Sequence, residues 1–245
     1  ASESALVGAF LPQDAAIALE TGYTPSLCVP TALERVSGGS GAFVFDTPRT
    51  HQLVIDASQL TYLTPGSTVD GIAFRISPVS PLAYQSWPES DATVTQFDVY
   101  LSTAQNVASL MSDTFANNEG PDRVRVRAGE LFIPARAMKV VGGEVAEHSY
   151  VIPFPTPFVY HGGGLCVTMR IGQRFGGTSV NFDGKFNTFG VNGKRNTQSS
   201  TATSANTTTA LALATRLVFS RPPNACPADL NADGLVDDLD FVLFV

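Results

Sequence analysis

The chain predicts an all-β fold, an antiparallel β-sandwich of jelly-roll type with one short helix and a C-terminal calcium-binding loop. Three observations lead to that expectation. Apolar and polar residues alternate with period two in several short runs, which is how a strand with one buried and one wet face is written. Glycine and proline, 21 and 16 of the 245 residues, fall between those runs as turn signals. An oxygen-rich stretch at residues 229–240 carries calcium-ligand spacing.

In chain order, residues 1–41 are weakly patterned and read as an N-terminal arm or first strands, ending in the flexible run Gly38-Gly39-Ser40-Gly41. Residues 42–220 read as the sandwich domain. Its first strands are residues 42–46 and 52–56, both apolar and β-branched or aromatic. Ile72, Phe74 and Ile76 alternate along residues 68–76, and Phe97, Val99 and Leu101 along residues 93–101. Residues 104–115 give the best helix: Val107, Leu110 and Met111 lie at helical spacing, and Gly120-Pro121 supplies a stop. Further strands are expected at residues 123–126, 131–133, 150–153, 166–171, 179–182 and 211–219. Pro153, Pro155 and Pro157 would keep one strand at a sheet edge. Short strands between Gly/Pro turns, with few helices, argue for the sandwich. Residues 196–209 are a polar, hydroxyl-rich loop; it holds a formal glycosylation sequon at Asn206, and a plain flexible loop is the favoured reading. Residues 221–245 form a proline-stiffened linker and the calcium segment.

Composition narrows the function classes. Charged residues make up 15% of the chain, against about 25% in an ordinary soluble domain. Lysine occurs only as Lys139, Lys185 and Lys194, and small hydroxyl and amide residues take its place, as in secreted β proteins. The net charge of −7 and the lack of a basic stripe exclude nucleic acid as an expected partner. Arg123, Arg125 and Arg127 share one strand face and read as solvated, or as a site for an acidic partner. No apolar run reaches the length of a membrane span, and the opening Ala1-Ser2-Glu3 without an initiator Met suits an exported mature chain. In an oxidising compartment, three cysteines suggest one pair and one remainder. Cys28 with Cys166 is the favoured disulfide; two separate buried thiols are the alternative.

Catalytic signals are thin. His51, His148 and His161 read as strand-end or surface residues, and neither a His-Glu-x-x-His nor a Gly-x-Ser-x-Gly pattern occurs. A non-enzyme is therefore expected. Trp87 and the tyrosines around it could stack on sugar rings or fill the core.

The loop at the end carries the sharpest chemistry. Asp229, Asn231 and Asp233 occupy positions 1, 3 and 5 of a twelve-residue loop, and Gly234 at 6 permits the turn. Leu235 at 7 offers its carbonyl, Asp237 stands at 9 and Asp240 closes the loop at 12. Side by side without a cation, these carboxylates would repel one another. Asp in place of Glu at position 12 departs from the EF-hand pattern.

The stretch Cys226-Pro227-Ala228-Asp229-Leu230-Asn231-Ala232-Asp233-Gly234, followed by Val236-Asp237-Asp238-Leu239-Asp240-Phe241, resembles a type I dockerin repeat. It is most similar to the short GC-type dockerin anchors of secreted planctomycete surface proteins. A dockerin has two loop–helix repeats and this chain has one, so the resemblance implies a calcium-holding surface anchor rather than a cohesin ligand. It also implies a partner for Cys226 beyond residue 245. The body resembles uncharacterised secreted planctomycete proteins in its order of residues 53–60, 71–75 and 99–103. Together these imply an extracellular or cell-surface structural protein that binds calcium. Its expected partners are copies of itself or a matrix component, with a carbohydrate-binding or adhesion module as the alternative.

Overall fold

The computed structural model describes residues 25–78, 86–139, 145–186, 188–207 and 211–221. Their regular structure is mainly antiparallel strand. In chain order, β1 (Ser26–Val29), β2 (Ser40–Phe43) and β3 (Arg49–Ile55) precede β4 (Thr68–Phe74). Then come β5 (Ser86–Trp87), β6 (Ala92–Val94), β7 (Phe97–Thr103) and β8 (Val124–Arg127). They are followed by β9 (Leu131–Ile133), β10 (Met138–Lys139), β11 (Val151–Val159), β12 (Leu165–Ile171) and β13 (Arg174–Phe175). The last are β14 (Asn181–Phe186), β15 (Val191–Asn196), β16 (Leu211–Leu213) and β17 (Thr215–Ser220).

Two sheets carry the body. One has the order β1-β17-β4-β11, the other β15-β3-β12-β7-β8. The short sheets β16-β14-β2, β13-β6-β9 and β10-β5 close the ends and flanks.

Period-two alternation explains why the two large sheets face one another. On β12, Leu165, Val167, Met169 and Ile171 point to one side and meet Thr103, Leu101, Val99 and Phe97 across β7. The same face of β3 presents Ile55 and Leu53. From the other sheet come Leu27, Val29, Ile72, Phe74, Ile152 and Leu217, and both sets belong to a single apolar cluster. Burying such side chains is worth roughly 1.5–3 kcal/mol each.

The centre of that cluster is aromatic. Phe45 lies edge-on to Phe182 at 5.3 Å and to Phe97 at 5.6 Å, and it stacks on Trp87 at 6.3 Å. Trp87 is fully buried and donates its indole N–H to the Thr178 carbonyl at 2.8 Å. It is a core residue, and the sugar-stacking reading of its loop is set aside.

Several expectations are corrected. The helix over residues 104–115 is absent; the segment makes short 3₁₀ turns at Ala108–Leu110 and Phe115–Asn118. Leu110 is 72% exposed, so the apolar spacing did not mark a buried stripe. Side-chain bonds organise the segment instead. Asn118 Oδ1 accepts from Ser112 N–H and from Asn106 Nδ2, while Asn118 Nδ2 donates to Gln52 Oε1. Such polar side chains compete with a helical ladder for the backbone.

The run 93–101 is two strands, β6 and β7, in different sheets. The run 211–219 is also two, parted at Ala214, whose N–H is drawn to the Asp183 carbonyl at 2.9 Å. β15 was not expected, because along Val191-Asn192-Gly193-Lys194-Arg195 only the first side chain is apolar. Gly193 is required there: a Cβ would stand 2.1 Å from the Leu211 carbonyl oxygen. β11 is an edge strand, as its prolines suggest, and its pairing to β4 is interrupted between Pro153 and Phe158.

Trp87 is the single tryptophan, which makes it a clean probe of this core. Its emission should be blue-shifted and little quenched by iodide. Phe182→Ala should cost about 3–5 kcal/mol in urea unfolding and move the emission to the red.

Candidate functional site

A recess of about 610 Å³ lies over the outer face of the four-stranded sheet. Its charged lining comes from Glu34, Arg35, Arg75, Glu147, His148 and Arg216. Strand alternation places these groups. Cys28, Arg216, Ala73 and Val151 form one row across the sheet, and their neighbours Leu27, Leu217 and Ile72 turn inward to the core. Arg75 continues the outward set of β4, one residue past the strand end.

At its base is a buried ion pair. Arg75 donates from Nε and Nη2 to the same Asp183 Oδ2, at 2.9 and 2.7 Å, and neither side chain is more than 1% exposed. The guanidinium also reaches the Val36 carbonyl at 2.6 Å and the Glu34 carbonyl at 3.4 Å. Asp183 Oδ1 accepts from Ser37 Oγ at 2.9 Å and Gly38 N–H at 3.0 Å. Each charge is thus met by its opposite and by polar partners, the condition under which a buried pair is tolerated.

Part of the rim is paired as well. Arg216 Nη2 meets Glu34 Oε1 at 2.5 Å. His148 Nε2 stands 3.2 Å from the Ala214 carbonyl. A carbonyl only accepts, so Nε2 carries the proton. Burial pushes the His148 pKa down to about 3, with Arg216 and Arg75 acting in the same direction and the Ala214 bond opposing them. Ser149 Oγ donates to the Ala137 carbonyl and accepts from Lys139 N–H. The recess therefore offers a neutral imidazole and two guanidinium groups, Arg75 and Arg216, that are already bound. It can receive a polar surface but presents no activated nucleophile among these groups.

The expected sites fall as follows. Cys28 and Cys166 are both free and buried, which corrects the proposed disulfide. Cys28 turns outward between the core residues Leu27 and Val29 on the four-stranded sheet. Cys166 turns outward between Leu165 and Val167 on the five-stranded sheet, packing with Val54, Ala108 and Met111. The sandwich core separates them. Burial lifts each thiol to about 12, so neither is a ready thiolate.

The arginines expected on an open strand face divide. Arg123 pairs with Glu119 at 2.8 Å and stacks 3.7 Å from the Tyr100 ring. Arg127 donates to the Phe97, Gly129 and Glu130 carbonyls. Arg125 stays exposed. Asn206 is exposed, with Oδ1 accepting from Thr197 N–H at 3.0 Å. The calcium ligands Asp229, Asn231, Asp233, Leu235, Asp237 and Asp240 lie outside the described residues. Among the described residues, no group of three or more His, Cys, Asp or Glu side chains is placed to hold a metal ion. No described helix is long and apolar enough to cross a membrane.

Sequence reading missed the Arg75–Asp183 pair. Its trace was one cation in the otherwise apolar run Ile72-Ala73-Phe74-Arg75-Ile76. No family model matches this chain, and a search of curated proteins returns no match.

Asp183→Ala should destabilise by about 3–5 kcal/mol, and Arg75→Met with Asp183→Leu should restore much of that loss in chemical unfolding. His148 is neutral when folded down to about pH 3, whereas its unfolded value is 6.5. Between those values the unfolded chain binds more protons, so stability present above pH 6.5 is lost as pH falls toward 3. The slope from this group should approach about 1.4 kcal/mol per pH unit and vanish in His148→Asn, read from unfolding midpoints between pH 7 and 4.

Proposed function

We propose that this chain is a non-enzymatic, secreted structural protein with a jelly-roll body and a calcium-closed C-terminal segment, displayed at a cell surface or assembled with copies of itself. The strand order supports the jelly roll. Count β1, β3, β4, β7, β8, β11, β12 and β17 as one to eight. One sheet then runs one-eight-three-six and the other two-seven-four-five, with β15 added beside two. Two nested Greek keys generate that order.

The observation that carries the structural reading is the state of the outer recess. Two of its guanidinium groups are tied to carboxylates and backbone carbonyls: Arg75 to Asp183, Val36 and Glu34, and Arg216 to Glu34. Groups bound in this way brace a shell and leave little free chemistry for turnover. The calcium role rests on the ligand spacing of residues 229–240. A glycan-binding module is the weaker reading, since the single tryptophan is in the core.

Light scattering and negative-stain microscopy of the protein in calcium, and again after chelation, test the proposal. Large regular particles in calcium that shrink on chelation are expected, with Asp233→Ala reproducing the chelated state. Monomers under both conditions, with no heat on calcium titration, would overturn it.

A further inference from the structure

A second polar group lies at one end of the inner face, where apolar side chains would be expected. On β3 the inward positions run Ile55, Leu53, His51, Arg49, and on β15 they run Val191, Gly193, Arg195. The register sets Arg195 directly opposite His51, with Met169 on its other side. His51 is 1% exposed, and its Nε2 has no hydrogen-bond partner among the described residues. Arg195 Nε is likewise buried and unpartnered, and no ion pair among the described residues includes Arg195. Arg49 is 5% exposed and donates to the carbonyl and hydroxyl of Thr47. Asp46, the carboxylate near Arg49, is 3.5 Å from Arg174.

Among the described residues, two buried nitrogens on facing positions of adjacent strands, His51 Nε2 and Arg195 Nε, thus lack a hydrogen-bond partner. A polar atom taken out of water needs a partner. We propose that His51 Nε2 and the Arg195 guanidinium hold a compact inorganic anion of the chloride or sulfate class. An imidazole N–H and a guanidinium N–H on facing residues of adjacent strands match that chemistry. Burial and the two arginines push His51 down to about 3 when nothing opposes them, and a bound anion would reverse part of that push. The site is independent of calcium and of self-assembly, and it lies on the inner face, apart from the outer recess.

The test uses the full chain in gluconate buffer at constant ionic strength, into which chloride and, separately, sulfate are titrated. A saturable rise of the melting midpoint by about 2–4 °C is expected for at least one of them. The saturable part should disappear in Arg195→Gln. On the wild-type chain, chlorine-35 line broadening should be relieved by the tighter competitor, and the His51 ring should titrate higher in the binding anion than in gluconate. These wild-type readouts decide the matter if the variant does not fold. Binding of sulfate alone identifies an oxyanion site, and binding of chloride identifies a halide site. A midpoint that ignores both anions, with no excess line width and an unmoved His51 titration, overturns the proposal. An equal response in Arg195→Gln overturns it too.

Discussion

The buried Arg75–Asp183 ion pair is the constraint on which the arrangement of the sheets depends. It joins three pieces of chain distant in sequence: the end of β4, the middle of β14 and the loop at residues 34–38. The backbone repeats the connection, since Asp183 N–H donates to the Arg75 carbonyl and Ala214 N–H donates to the Asp183 carbonyl. One carboxylate thus fixes where the short sheet β16-β14-β2 meets the four-stranded sheet. The geometry is demanding because a charge in a low-dielectric interior stays stable only when each of its bonds is made. Gly38 belongs to the same joint: a Cβ there would lie 2.0 Å from the Gly184 carbonyl oxygen.

Around that joint the two faces of each strand do different work. Inward residues make the aromatic and aliphatic core, and outward residues of the four-stranded sheet make the polar recess. The outer face of the five-stranded sheet is dressed differently, by the segment between β7 and β8. There Gln52 donates to Thr168 Oγ1 at 2.8 Å and to the Phe115 carbonyl at 3.1 Å. Thr168 Oγ1 donates in turn to Glu119 Oε1 at 2.7 Å. A connection without regular helix is therefore held as firmly as a strand, through side chains bonded to a sheet. That pattern suits a protein whose proposed role is to keep its shape outside the cell.

Strands with clean alternation were legible in the sequence. β4, β7 and β12 announce themselves because their inward residues are mostly large and apolar, and β3 does so over Leu53 and Ile55. What failed was whatever depended on a partner distant in the chain. β15 is paired through Gly193 and Arg195, whose roles come from Leu211 and β3 and not from local pattern. The splits at Thr95 and Ala214 arise where a backbone group leaves its own strand direction for another segment, Thr95 N–H to Gln173 and Ala214 N–H to Asp183. The apolar spacing of residues 107–111 mimicked a helix, but Asn118 and Ser112 took the backbone bonds that a helix would have used. The Cys28–Cys166 pairing failed for a simple reason: parity along each strand sends both thiols outward, away from the space between the sheets. The recess likewise could not be foreseen, because its charges are gathered from four separated stretches of sequence.

The prolines of β11 have a directional consequence. Pro153, Pro155 and Pro157 each lack the amide hydrogen that an incoming strand would need, so that border cannot serve as a template for another chain. The far border of the same sheet is β1, Ser26-Leu27-Cys28-Val29, which has its amides intact. Among the described residues, β1 is therefore the border of this layer that can take a foreign strand. A second copy offering its own β1 would close into a two-fold pair, so a longer row needs a different segment of the neighbour as the added strand.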